Sequence, residues 1–364
     1  MNLFGRTAEK VKRWGAREFI GAAAVLLLCV FFALAIAEKC RGAEDRGSMT
    51  ADASPAPETV TEQPVFTPYP FEAPTPAPTV ALKEEPSPEP TEAPSDTPSP
   101  SLPPESGTVF SDAAFEDAFR QKYGVEGPVT SSYLASFTEL ELSGCGIESI
   151  EDVALFKNLE SLDLSGNGIT DIGPIKELKK LRRLYLHSNR ISDAEPLLAQ
   201  VLLTELSLGN NRIADITPLS HLRKLTALSL SDNRIGDVSA LSGLTNLKSL
   251  RLGGNYIYDA RPLASLTELT ELSLNDNRLS DISPIASLTG LSGLWLQNNY
   301  IKEITPLASM RRLKALYLGS NQIKDVETLY PLGELRVVEL SSNPVPEEQV
   351  ETLRKKLPES YIIY

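Results

Sequence analysis

The sequence predicts an α/β solenoid, a stack of coils in which short strands alternate with tight helical turns, closed by a helix at each end. Three observations predict it. Asparagine recurs in 22-residue steps at Asn167, Asn189, Asn211, Asn233, Asn255, Asn277, Asn299, Asn321 and Asn343, and Cys145 sits one step upstream in the same slot. Around each Asn the chain restates one unit, LxxLxLxxNxIxDIxPL. Beyond both ends of the array the unit gives way to helical apolar spacing. Self-similarity at a fixed period sets the architecture before any local feature does.

Each fixed position of the unit has a physical task. Leu184 and Leu186 are two apart and so share one face of a short strand, while Arg183, Tyr185 and His187 take the other. Asn189 follows where the strand must turn. Its amide both donates and accepts, so it can satisfy backbone groups buried in the turn and join one coil to the next. Ile191 and Leu197 return to the core. Asp193 precedes a helical turn, where a carboxylate caps exposed N–H groups. Pro196 suits the start of that turn, because its φ is preset and no donor is needed there. One unit alone buries nothing, and stacking supplies the missing neighbours. With strands about 4.8 Å apart, ten coils make a strip roughly 45 Å long.

These residues resemble the internalin-type form of the leucine-rich repeat found in bacteria, over Thr138 to Pro346. The resemblance implies a curved solenoid with a parallel sheet on its concave side and 3₁₀ turns on its convex side. Departures are few. Ala240 and Thr328 replace the Pro, Glu303 and Ser149 replace the Asp, Ala194 and Ala260 thin the hydrophobic column, and Gln200 stands where most coils have Leu.

The domains follow in chain order. Residues 1–18 form a short basic head, expected to be cytoplasmic. Phe19 to Ala37 (FIGAAAVLLLCVFFALAIA) is uncharged, and as a helix it would span roughly 28 Å, about one bilayer core. Arg6, Lys10, Lys12, Arg13 and Arg17 precede it, so the positive-inside rule sends the remainder of the chain outside. This predicts a single-pass anchor in the lipid bilayer. A cleaved signal peptide is the rival, since Ala35-Ile36-Ala37 resembles a cleavage site. Lipidation at Cys40 is disfavoured by the Ala-Glu-Lys before it. Residues 38–108 are expected to be a disordered stalk. Sixteen prolines fall within residues 41–108, with twelve acidic residues against three basic. Such a segment cannot bury enough apolar surface to fold, and its prolines keep it extended.

Residues 109–137 are predicted as a helical N-cap. Phe115 and Phe119 lie one turn apart, and Ser111 is placed to cap the helix. The repeats run over residues 138–343. In the C-terminal cap, residues 344–364, Val350, Leu353 and Leu357 share one helix face, and Tyr361 to Tyr364 can add a last strand.

Composition excludes whole classes of function. The net charge is −13, opposite to the basic footprint of nucleic-acid binding. Three cysteines build no disulfide framework. Cys145 is expected to be a buried ladder residue. The absence of any Asn-x-Ser/Thr site points to a bacterial source.

Catalysis needs a constellation, and the chain holds two histidines. His187, on the concave face near Asp163, is imaginable as a base oriented by a carboxylate. A solvated contact residue is the plainer reading, since no nucleophile motif accompanies it. The column Asp171, Asp193, Asp215, Asp237, Asp259, Asp281 and Asp325 invites a calcium reading, but calcium loops gather several carboxylates in one loop and here each coil offers one. Turn capping is expected, and no metal or cofactor. A further column, Arg190, Arg212, Arg234, Tyr256, Arg278 and Tyr300, reads as a solvated rail paired with Asp232 and Asp276.

The expected function is recognition of a protein or glycan on the concave face, with no catalysis. Arg251, Trp295, Tyr300 and Tyr317 form the main candidate contact patch and Arg183, Tyr185 and His187 a second, because exposed Trp, Tyr and Arg are what binding hot spots favour. The other class is a sensor that relays binding to the cytoplasm through the basic head.

Overall fold

A computed structural model of the chain describes residues 110–364. The expected head (1–18), transmembrane helix (19–37) and stalk (38–108) lie outside the described residues. Among the described residues no helix is long and apolar enough to cross a membrane.

Two helices, α1 (Ala113–Tyr123) and α2 (Ser131–Ala135), open the domain. Eleven three-residue strands follow: β1 (Glu139–Glu141), β2 (Ser161–Asp163), β3 (Arg183–Tyr185), β4 (Glu205–Ser207), β5 (Ala227–Ser229), β6 (Ser249–Arg251), β7 (Glu271–Ser273), β8 (Gly293–Trp295), β9 (Ala315–Tyr317), β10 (Val337–Glu339) and β11 (Tyr361–Ile363). Helix α3 (Glu347–Lys356) separates the last two. The strands make one parallel sheet in sequence order. Its register is the period itself, with Leu140 beside Leu162, Leu162 beside Leu184, and so on. The predicted solenoid is therefore present: an open, curved sheet with 3₁₀ turns opposite it.

The leucine pair of each strand points inward and is buried from Leu140 and Leu142 to Val338 and Leu340. The Asn column binds these layers together. The Nδ2 of Asn233 donates to Leu230 O at 3.1 Å in its own coil and to Leu208 O at 3.0 Å in the coil before. Its Oδ1 accepts from Ile213 N at 2.9 Å. The same set recurs at every Asn from Asn167 to Asn343. Leaving such buried groups unmet costs about 1–3 kcal/mol each, so the ladder is as much a part of the core as the leucines.

Cys145 corrects the sequence reading. It is exposed, and its Sγ donates to Ser143 O, two residues back, at 3.5 Å. The physical reason lies in the direction of the ladder. Each rung reaches back to the preceding coil, and Cys145 belongs to the first coil, with no rung to reach toward.

Proline accompanies the longer convex turns. Turns with Pro at their second position, such as Glu195–Ala199 and Thr217–His221, run five residues. Where Ala240 and Thr328 replace it, Ser239–Leu241 and Glu327–Leu329 run three. The first turn, Glu151–Leu155, keeps five with Asp152 in the proline's slot. The Asp column caps these turns: Gly173 N, Thr217 N and Ser283 N donate to Asp171, Asp215 and Asp281 at 2.7, 2.8 and 2.8 Å. Each Asp stands one residue ahead of the N-cap, an Asx-turn arrangement. Gln200 is buried without disrupting its coil, because its Nε2 donates to Ile175 O at 2.7 Å.

The ends are covered as expected, with one correction. Phe115 and Phe119 are buried against Phe110, Phe137 and Phe156. The N-cap of α1 is Asp112, which accepts from Phe115 N, and not Ser111. Ser111 is drawn away by the buried Asp152, to which its N–H and hydroxyl donate at 2.9 Å. Tyr123 meets the open edge of the sheet, its hydroxyl accepting from Glu141 N at 2.9 Å. At the other end Val350, Leu353 and Leu357 are buried, and Gln349 accepts from Val326 N of the last convex turn.

Candidate functional site: the concave strip

Strand residues that point away from the leucines line the concave face. They form columns in which coil succeeds coil by the sheet register. One central column reads Glu141, Asp163, Tyr185, Ser207, Ser229, Arg251, Ser273, Trp295, Tyr317 and Glu339. The sheet thus brings Arg251, Trp295 and Tyr317 into one line, with Ser273 between the first two.

The two aromatics form a platform. Their ring centroids are 5.9 Å apart with an interplanar angle of 10°. Gly293 makes it possible. A Cβ there would come within 2.6 Å of the indole, so only glycine lets Trp295 lie back over its own strand. Both rings remain partly exposed. Small residues surround them: Ala315 and Gly319 flank Tyr317, and Ser273 precedes Trp295. Glu339 borders the platform, its carboxylate accepting from Gly319 N at 2.8 Å and Ser341 N at 2.9 Å. Tyr300 is 55 % exposed and lies beyond the Asn299 turn, on the flank of the solenoid.

The second predicted patch is differently built. Arg183 Nη2 donates to Glu139 at 2.6 Å, and its Nε to Ser161 Oγ at 3.3 Å. Tyr185 Oη donates to Glu205 at 2.7 Å. Burial, and then this bond to Glu205, push the Tyr185 hydroxyl pKa upward, so it stays a donor. His187 is exposed, with Nδ1 3.3 Å from Ser188 Oγ. Asp163 accepts from Ser165 N at 2.9 Å. Among the described residues no bond joins Asp163 to His187, so the imagined oriented base is not assembled.

The arginine column also departs from expectation. Among the described residues it makes no ion pair with Asp232 or Asp276. Arg190 lies 3.8 Å from Glu148, and the Arg278 guanidinium sits 4.7 Å over the Tyr256 ring. Asp232 and Asp276 are left-handed turn residues, with φ of 55° and 54°, which turns them toward the concave rim. There Asp276 accepts from Asn275 and Asn298. Asp232 leans onto Gly254, where desolvation and then the charge of Asp276 raise its pKa.

The sequence reading missed Gly293, Glu205 and Asp152. The first two were findable, because subtracting whole periods aligns Gly293 with Glu205 in the column beside Trp295 and Tyr185. Asp152 carries no local signal, since its partners lie 40 and 41 residues upstream.

The comparisons agree with this geometry. The family model "Leucine Rich repeats (2 copies)" matches residues 157–199, 201–243, 223–266 and 267–309. No curated protein sequence matches the chain. Among solved structures, an internalin (inlF) of Listeria monocytogenes is 30% identical, with a TM-score of 0.60, over 72% of this chain and 92% of that one. Internalin C2 of the same organism is 32% identical, with a TM-score of 0.50, over 64% and 95%. The functional domain of InlJ from Listeria monocytogenes, which includes a cysteine ladder, is 23% identical with a TM-score of 0.61, over 68% and 54%, a likeness of fold. Proteins built of leucine-rich repeats generally serve in protein–protein recognition and are usually non-enzymatic. The identity and coverage of the internalin structures, with the family match and the sheet register, show that this chain belongs to the internalin-like leucine-rich-repeat family.

Proposed function

We propose that this protein is a non-enzymatic recognition module that holds a protein ligand on its concave face, centred on Trp295 and Tyr317. One observation carries the reading. Two near-parallel aromatic rings lie side by side on the open face of the sheet, on a bed of glycine, alanine and serine. Large aromatic surface held rigid before binding costs little entropy to use, and Trp and Tyr dominate binding hot spots. Arg251, two coils away in the same column, adds a charged group at one end. Glu339 adds another at the other end. A glycan ring stacked on the indole is the competing ligand chemistry.

The same reading places the domain outside the cell. Its support is the uncharged run Phe19 to Ala37 behind a basic head, followed by the Pro-rich segment. The domain would then be displayed on a stalk from a single-pass anchor, with ligand binding as its task. A relay to the cytoplasm through residues 1–18 is the second use of the same anchor. N-terminal sequencing of the mature chain tests the anchor. An intact Met1 or Asn2 start supports it, and a start near Glu38 makes the protein a secreted binder.

Binding itself is tested with full-length chain on intact cells. Trp295→Ala with Tyr317→Ala should abolish capture of the ligand while the purified variant keeps its unfolding midpoint. Undiminished capture by the folded double variant rejects the concave platform.

A further inference from the structure

The flank beyond the asparagine turns carries a second pattern. Most coils leave their Asn with one exposed residue, bury the next, and turn the following two outward. Arg212, Arg234 and Arg278 hold the first position, and Asp215, Asp237 and Asp281 stand three residues on. All six are exposed. Because the coils repeat in register, these residues form two rails of opposite sign running side by side along the solenoid, with coils about 5 Å apart. Among the described residues the rails are not paired with each other. Arg212 and Arg234 make no ion pair, and Arg278 rests on Tyr256. Asp215, Asp237 and Asp281 accept only from their own turns, at Thr217, Ser239 and Ser283.

Three exposed tyrosines stand on or between the rails. Tyr256, Tyr258 and Tyr300 are 48 %, 69 % and 55 % exposed. Tyr256 and Tyr300 interrupt the arginine rail, and Tyr258 stands between the rails. Arg and Tyr are the residue types that protein interfaces enrich.

The arrangement of charge selects the occupant. A polyanion laid along this flank would meet the Asp rail, and a polycation the Arg rail. A second copy of the same flank answers both, in one orientation only. Rotation by 180° about an axis parallel to the rails exchanges left for right and keeps coil opposite coil, so every Arg meets an Asp. Rotation about an axis across the rails sets Arg against Arg. A two-fold interface is self-complementary by construction, and this surface meets that condition when both solenoids point the same way.

We propose that the chain forms a parallel two-fold dimer through this flank, with Arg212, Arg234 and Arg278 opposite the partner's Asp215, Asp237 and Asp281, and Tyr258 next to the axis. The Arg rail lies toward the concave side and the Asp rail toward the convex turns it caps, so in this arrangement both concave faces stay open and face opposite ways. Exposed ion pairs are individually weak. The dimer is therefore salt-sensitive, and the tyrosines supply the part that salt does not remove.

The test is sedimentation of the full-length chain in detergent, at low ionic strength and at 1 M salt, where the screening length falls to about 3 Å. The wild type should sediment as a dimer at low salt and dissociate at high salt. The triple reversal Arg212→Glu, Arg234→Glu, Arg278→Glu should be monomeric at both. Mixing it with Asp215→Arg, Asp237→Arg, Asp281→Arg should restore a heterodimer, which shows that both variants remain folded. In a Cys145→Ser background, Ser280→Cys, next to the axis, should give oxidative dimers well above that background. Monomeric wild type at low salt, a dimer that survives the reversal, no recovery on mixing, or no gain in crosslinking at position 280 would each overturn the proposal. Trp295→Ala with Tyr317→Ala should leave the dimer intact, which separates this result from that of the concave site.

Discussion

The two halves of the concave face share one backbone and differ in what their side chains do with each other. Along β1 to β4 the side chains are polar and largely satisfied within the protein. Arg183 is held by Glu139, Lys122 lies 3.5 Å from Glu141, and the Tyr185 hydroxyl donates a hydrogen bond to Glu205. Along β8 and β9 the rings of Trp295 and Tyr317 stack on each other beside Ser273, Ala315 and Gly319. A ligand landing on the first half must displace ion pairs and hydrogen bonds already made. On the second half it covers the partly exposed apolar surface of the two stacked rings. Burial of apolar area contributes about 25 cal/mol per Å², whereas exchanging one exposed ion pair for another contributes little. The difference in side-chain satisfaction, and not in fold, is what makes the C-terminal half the better binding strip.

The largest expected effect shows that the scaffold is the same under both halves. Asn189→Ala and Asn299→Ala remove equivalent rungs, each with one acceptor and the same pattern of carbonyl partners. Each should cost about 3 kcal/mol in urea unfolding. If one rung mattered far more than the other, the halves would differ in their frame as well as their surface.

Next in size is the platform. Trp295→Ala should weaken ligand binding by about 2 kcal/mol, roughly thirtyfold, as hot-spot truncations do. Gly293→Val should act in the same direction, because its side chain occupies the space of the indole. Tyr185→Phe, by contrast, should leave binding unchanged and lower stability by about 1 kcal/mol, the value of its bond to Glu205. Binding that falls with Tyr185→Phe and survives Trp295→Ala would reverse the assignment of the two halves.

The smallest effect is common to both halves and lies on the convex side. Asp215, Asp237, Asp259 and Asp281 all have pKa values held below the ordinary 3.8. The hydroxyl and N–H of Thr217 and of Ser239 do this for Asp215 and Asp237, the side chain and N–H of Arg261 for Asp259, and the N–H and hydroxyl of Ser283 for Asp281. A carboxylate with a depressed folded-state pKa stabilises the fold fully above its unfolded value, and that contribution is lost as pH falls through the folded value. Thermal unfolding should therefore be flat from neutral pH down to about 4 and weaken below it. Asp281→Asn should blunt that acid slope slightly without touching ligand binding.

The architecture was legible because every coil repeats the same physics. Leu184, Asn189, Ile191 and Pro196 each announce their place by local spacing, and the 22-residue period repeats the message along the array. What escaped was set by contacts outside the unit. Cys145 occupies a ladder slot in sequence, yet the slot has a function only when another coil precedes it. Ser111 has the chemistry of an N-cap, but the buried Asp152 claims it from 41 residues away. Asp232 and Asp276 were paired with the wrong column because the left-handed turn that re-aims them is carried by Ser, Asn, Asp and Gly alike. The concave site was half legible. Trp295 and Tyr317 stand out by residue type, whereas the glycine that lays the indole down is visible only when columns, and not rows, are compared.

The most direct test sets a photoreactive benzoylphenylalanine at position 317 in one full-length chain and at position 185 in another, on intact cells. The platform account predicts one discrete ligand adduct from position 317, lost when Trp295→Ala is added, and at most a trace from position 185. Equal adducts from both positions, or an adduct from 185 alone, would contradict it.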